Sequence, residues 1–69
     1  MIPSPEPSET WTNVKHRDDY TILALATDAT NERVGIPVVV YQACKLPREI
    51  YVRELGEFKQ KFVQKGTTI

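Results

Sequence analysis

The sequence predicts a mostly β domain with one short helix: a small, bent, four-stranded antiparallel sheet capped by a C-terminal helix. Three observations lead there. Four runs rich in β-branched and aromatic residues follow one another as far as Arg53, separated by short polar connections. The apolar period then changes, and Leu55, Phe58, Phe62 and Val63 fall on one helical stripe. At 69 residues, the chain suits a single domain with a modest core.

The elements follow in order. In residues 1–10, Pro3, Pro5 and Pro7 alternate with Ser4, Glu6 and Ser8. Three prolines remove three amide donors and fix φ, so this segment is expected to be a disordered, Pro-rich tail. No basic anchors flank the prolines, which argues against a Pro-rich peptide ligand. Residues 11–66 are expected to form the single β-rich domain. Trp11–His16 is the first predicted strand, and Arg17, Asp18 and Asp19 supply turn chemistry. Tyr20–Thr27 is the second. Both of its faces are largely apolar, which predicts a strand covered on two sides or curling into a barrel. Asp28–Gly35 reads as a loop.

Ile36–Cys44 carries three consecutive valines and is the strongest strand signal, with donorless Pro37 at its start. After the Lys45–Arg48 connection, Ile50–Arg53 is the fourth strand. Ile50 and Val52 share one face, and Tyr51 and Arg53 the other. The helix follows. Glu54 and Glu57 lie near its start, and Lys59, Lys61 and Lys65 near its end, complementing the helix dipole. Gly56 weakens the first turn and suggests a start as a single turn or a 3₁₀ segment; Gly66 is the expected stop, and residues 67–69 are expected to fray. Short connections imply antiparallel pairing. The economical closure is an SH3-like roll whose helix plugs one open end.

Charge narrows the function classes. Nine Lys and Arg balance nine Asp and Glu, with one histidine, His16. A protein that grips long nucleic acid usually carries a basic surplus. The balance is uneven, however. Residues 1–34 hold six acids and three bases, and residues 35–69 hold six bases and three acids. This is either a solvated dipolar surface or a local anion site in the C-terminal half. Cys44 is the only cysteine, so an intramolecular disulfide is excluded and a zinc site lacks its spacing, consistent with a reducing cytoplasm. No apolar run reaches the ~20 residues of a membrane helix. The N-terminal residues have neither the basic start nor the apolar centre of a signal peptide.

Catalytic constellations are sparse, and the expectation is that the protein is not an enzyme. Cys44 and His16 are the only conventional nucleophile–base pair, and Cys44 ends an apolar strand where a small core or edge residue is the simpler reading. Asp18–Asp19 and Glu54/Glu57 lack an apolar pocket to raise a pKa. Glycines at 35, 56 and 66 are too far apart for a phosphate loop. No metal or cofactor is implied.

A binding surface remains. Tyr51 and Arg53 project the same way, and strand pairing would bring Tyr41 or Gln42 beside them, depending on register. Trp11 and Lys15 extend the candidate surface from the first strand. Aromatic rings supply stacking area and arginine a planar fork for phosphate or carboxylate. The competing structural reading pairs Arg53 with Glu54, Glu57 or a carbonyl and uses the tyrosines to cover the core.

Residues 11–63 resemble the domain of unknown function family 1653, short proteins of bacteria and phages. The matching stretches are Val14-Lys15, Tyr20–Ala26, Val39–Ala43 and, most specifically, Tyr51–Phe58 (YVRELGEF). The family pattern in that last stretch is an aromatic, Val, Arg, usually Pro, Leu, two variable positions and Phe. Tyr51 stands where the family usually has Trp, Glu54 where it usually has Pro, and Asp28 where many relatives carry His. The resemblance implies a compact β domain, a cytoplasmic setting and a bacterial or phage gene, and no reaction.

The expectation is a non-catalytic binding module acting on a protein partner or small ligand. A nucleic-acid-binding small β-barrel using the Tyr/Arg surface is the alternative, disfavoured by the zero net charge. An enzyme acting on a nucleotide or metabolite ranks last, since it would need a site shared between copies. Homodimerisation through an exposed strand edge is compatible with so short a chain.

Overall fold

Short polar connections join the first four strands into hairpins, and the sequence then returns to the first strand through the helix. The computed structural model describes residues 4–67, so the expectations for residues 1–3 and 68–69 lie outside the described residues. The strands are β1 (Thr10–Asn13), β2 (Asp19–Asp28), β3 (Ile36–Ala43), β4 (Ile50–Glu54) and β5 (Phe62–Gln64). The helix α1 (Leu55–Lys61) lies between β4 and β5, and a 3₁₀ turn occupies Asn31–Arg33. All strand pairs are antiparallel in one open sheet of order β4-β3-β2-β1-β5.

The mostly β fold with one C-terminal helix is as predicted, but the described residues form five strands instead of four. Phe62 and Val63, expected on the helix stripe, begin β5. The helix stops at Lys61, where Phe62 turns extended (φ −129°, ψ 150°) while its N–H still donates to the Phe58 carbonyl. β5 then pairs with the open side of β1, with Asn13 opposite Phe62 and Trp11 opposite Gln64. This covers backbone groups that a four-stranded sheet would have left exposed on β1. Gly66 (φ +98°) therefore sits in the turn after β5 and not at a helix end.

The start of α1 is fixed by Glu54. Its carboxylate accepts from the backbone N–H of Gly56 at 2.8 Å and of Glu57 at 3.1 Å, satisfying two amides that the helix itself leaves unpaired. A Cβ at Gly56 would lie 3.2 Å from that carboxylate, so glycine makes room for the cap. The expected 3₁₀ start is replaced by an α-helical one from Leu55.

β2 explains its own two-faced apolarity. Its register against β3 shifts between Ile22 and Ala24, a β-bulge. Before the shift Ile22 lies opposite Tyr41; after it Leu25 lies opposite Val39. Directly opposed residues share a face, so even positions before the bulge and odd positions after it lie on the Val39 and Tyr41 face of the sheet. Two apolar faces in the sequence reflect a change of parity and not burial on both sides, and Leu23 and Leu25 remain exposed.

The core is Trp11, Ile22, Val39, Tyr41, Phe58 and Phe62, with Tyr20 and Leu55 packed against it. Phe58 of α1 and Phe62 of β5 stack at 4.2 Å with rings nearly parallel, which docks the helix onto the sheet. Residues 5–9, expected in the tail, are instead fixed to the sheet. Pro5 is buried, the Ser8 N–H donates to the Ile22 carbonyl, and the Ile22 N–H donates to the Glu9 carbonyl. The Glu9 carboxylate accepts from the Glu6 amide, the Trp11 indole and the Gln64 amide. The alternating prolines leave those intervening amides available, and one apolar proline ring finds a buried seat. No helix among the described residues is long and apolar enough to cross a membrane.

Candidate functional site

Pairing of β2, β3 and β4 assembles an aromatic row at the end of the sheet next to α1. Tyr41 lies directly opposite Tyr51, with ring centroids 5.6 Å apart. Tyr20 meets Tyr41, Tyr51 and Phe62 edge-on at 5.4, 6.2 and 5.4 Å. Edge-to-face contacts are the favoured geometry for rings with a negative face and positive rim. Tyr41, 3% exposed, forms the floor; Tyr51, 40% exposed, forms a wall.

Over this row lies an open concavity of about 510 Å³, within the ~300–1,000 Å³ of small-molecule sites. Tyr20, Tyr41, Tyr51, Arg53 and Phe62 line its sheet side. Asn13, Val14, Lys15 and His16 line it from the β1–β2 turn, and Gln60 and Lys61 from the end of α1. Asn13 organises that turn. Its side chain accepts from the His16 N–H at 2.9 Å, and its carbonyl accepts from the Arg17 N–H at 2.7 Å. The Val14 N–H donates to the Lys61 carbonyl at 2.9 Å, which ties the turn to the helix end and brings both basic segments to one rim.

Arg53 braces the opposite rim. Its Nε donates to the Tyr41 hydroxyl at 3.1 Å, Nη1 pairs with Glu57 one helical turn on, and its guanidinium lies 5.9 Å from the Phe62 centroid. The accepting Tyr41 oxygen, followed by the Glu57 carboxylate, holds the guanidinium in its charged form beyond its usual range. The Tyr51 hydroxyl donates to Glu49, which pushes its pKa up; burial, then the charge of Asp18, does the same for Tyr20.

The charge balance of the whole chain does not describe this pocket. Most carboxylates already accept from the chain's own donors: Asp18 from Lys45, Asp19 from Thr12 and Lys65, Asp28 from Arg33, Glu49 from Tyr51 and Glu57 from Arg53, besides Glu9 and Glu54. Among the described residues, the pocket lining holds Lys15, His16, Arg53 and Lys61 and no acidic side chain.

The structure thus brings Lys15, Tyr41, Tyr51 and Arg53 together and separates Trp11 and Gln42 from them. Trp11 is 1% exposed, packs 5.6 Å from Phe58 and donates its indole N–H to Glu9, so it is a core residue and not part of a surface. Gln42 alternates to the other face of β3, where its amide donates to the Arg48 carbonyl. The structure adds Tyr20, His16, Gln60 and Lys61 to the predicted site residues. For Tyr20 the signal was present, two positions before the core residue Ile22 on the same face. For Lys61 and His16 it lay only in the contact between turn and helix. Cys44 sits 3.4 Å from Thr21 while His16 lines the pocket. Among the described residues no group of three or more His, Cys, Asp or Glu side chains converges to hold a metal ion.

No family model, curated protein or solved structure matches this chain.

Proposed function

We propose that this protein is a non-catalytic binding module whose pocket over Tyr20, Tyr41 and Tyr51 receives a small ligand or a side chain of a protein partner. The observation that carries the reading is the convergence, in one open concavity, of an exposed aromatic wall, a satisfied Tyr41–Arg53–Glu57 network and an acid-free basic rim. These two hydrogen bonds restrain the Arg53 side of the pocket before a ligand arrives, which lowers the ordering cost of binding. Size and rim chemistry suit recognition, while a nucleophile held by a base and an orienting group is not what lines the pocket.

An SH3-like roll is the architecture this reading favours. A meander of four strands whose fifth returns beside the first through a short helix supports it. The resemblance of residues 11–63 to the domain of unknown function family 1653 belongs to the same proposal, with the bacterial or phage and cytoplasmic setting it implies. A second copy of the chain is a further partner in this reading. The edge strand β4 leaves Ile50 and Val52 exposed on the face opposite the pocket.

The test is a small-molecule and peptide binding screen, repeated on Tyr51→Ala. The expected result is at least one ligand whose affinity falls about tenfold or more in the variant, with little change in melting temperature, because Tyr51 is a wall and not core. Ligands that bind wild type and Tyr51→Ala equally, or no ligand at all, would overturn the proposal.

A further inference from the structure

Resting on that binding reading, we infer that the pocket takes a nucleoside phosphate, its planar ring against the Tyr51 wall and its phosphate held at the rim by Lys15 and Lys61.

The sheet side is aromatic, and only Tyr51 among its rings has a substantial exposed area. An exposed ring beside Tyr20 and Tyr41 is a stacking surface, and stacking on an aromatic side chain accepts any base. The opposite side carries Lys15 and His16 on the β1–β2 turn and Lys61 at the end of α1, all without an ion-pair partner among the described residues. The Val14–Lys61 backbone bond fixes these two segments together, so their side chains serve one anion.

Two flexible ammonium groups act as point charges with rotatable donors, a grip suited to a phosphate dianion. Arg53 is already engaged by Tyr41 and Glu57, so it shapes the pocket and adds background charge while the lysines supply the direct grip. The volume, about 510 Å³, is enough for one nucleotide unit. The chain as a whole lacks the basic surplus that a long nucleic acid calls for, while this rim is locally positive.

The test uses the full chain and four probes followed by amide chemical shifts: adenosine 5′-monophosphate, adenosine, inorganic phosphate and a single-stranded oligonucleotide of about ten residues. Adenosine 5′-monophosphate is expected to shift Lys15, His16, Tyr51 and Lys61, with adenosine and phosphate each about tenfold weaker or more. The Lys15→Ala/Lys61→Ala double variant is expected to lose about tenfold or more, whereas Arg48→Ala/Lys59→Ala, an equal charge change away from the pocket, stays within about twofold. Equal losses in both double variants, or no shift with adenosine 5′-monophosphate, would overturn the inference. An oligonucleotide that binds about a hundredfold tighter than the mononucleotide, with steep salt dependence, would overturn the free-nucleotide source and assign the rim to single-stranded nucleic acid. Neutral ring compounds that bind at Tyr51 while adenosine 5′-monophosphate fails would sink this inference and leave the binding module standing. Failure of every probe and of the wider screen would remove both.

Discussion

The two ends of the sheet are built on different physics. At the end next to α1, Tyr20, Tyr41, Tyr51, Phe58 and Phe62 interlock, and the pocket opens above them. At the far end the β2–β3 hairpin extends with Leu25 46% exposed and Val34 more exposed still. That hairpin is held by its backbone ladder and by polar contacts around Asp28, which accepts from the Thr30 N–H and the Arg33 Nε and whose carbonyl accepts from the Gly35 N–H. Gly35 makes the turn with φ +90°, where a side chain would be strained. The contrast teaches that aromatic burial fixes the shape of the pocket end, while the tip is a separate, locally held structure.

Truncating one residue at each end should separate the two most strongly. Phe58→Ala removes a fully buried ring that touches Trp11, Tyr41 and Phe62. It should cost about 3–5 kcal/mol, comparable to the whole stability of so small a domain, and chemical denaturation should find it largely unfolded. Leu25→Ala, at the tip, should cost under about 1 kcal/mol in the same experiment.

Acid should act next, and on both ends. The Asp28 carboxyl is held below its usual range by the Thr30 N–H and then by Arg33, Asp19 by Lys65 and then Thr12, Glu9 by the Trp11 indole, and Glu54 by the Gly56 amide. Each folded-state pKa lies below its unfolded value. Their stabilisation is therefore fully present above the ordinary carboxylate range near pH ~4 and is lost as pH falls through the lowered values. Melting temperature should be flat from neutral pH to about 5 and drop below about 4; a melting temperature unchanged into that acidic range would contradict these assignments.

A smaller effect should come from Arg17, which has φ +64° in the β1–β2 turn. Arg17→Gly relieves a left-handed backbone and should stabilise by about 0.5–1 kcal/mol, read from the denaturation midpoint. A loss of stability would mean that the Arg17 side chain contributes more than its backbone costs.

The sequence shows some of these features and conceals others for identifiable reasons. Antiparallel pairing of the first four strands follows from their short connections, and the turn to a helix after Arg53 and the shared direction of Tyr51 and Arg53 follow from periodicity. The fifth strand does not, because Phe62 and Val63 continue a helical spacing as well as they begin a strand; the open side of β1 decides between them. The bulge in β2 is hidden because YTILALAT alternates equally well on either parity. Trp11 and Tyr41 look alike as exposed or buried aromatics until Glu9 and Arg53 are seen to satisfy their polar ends. The basic rim depends on residues 46 positions apart, Lys15 and Lys61, meeting through one backbone bond between their neighbourhoods.

The most direct measurement is a backbone amide shift map of the full chain titrated with ring-bearing small anions. Shifts are expected to group at residues 13–16, Tyr20, Tyr51 and residues 60–62, with residues 25–37 of the β2–β3 hairpin unmoved. Shifts centred on that hairpin, or spread evenly over the sheet, would contradict binding in the pocket.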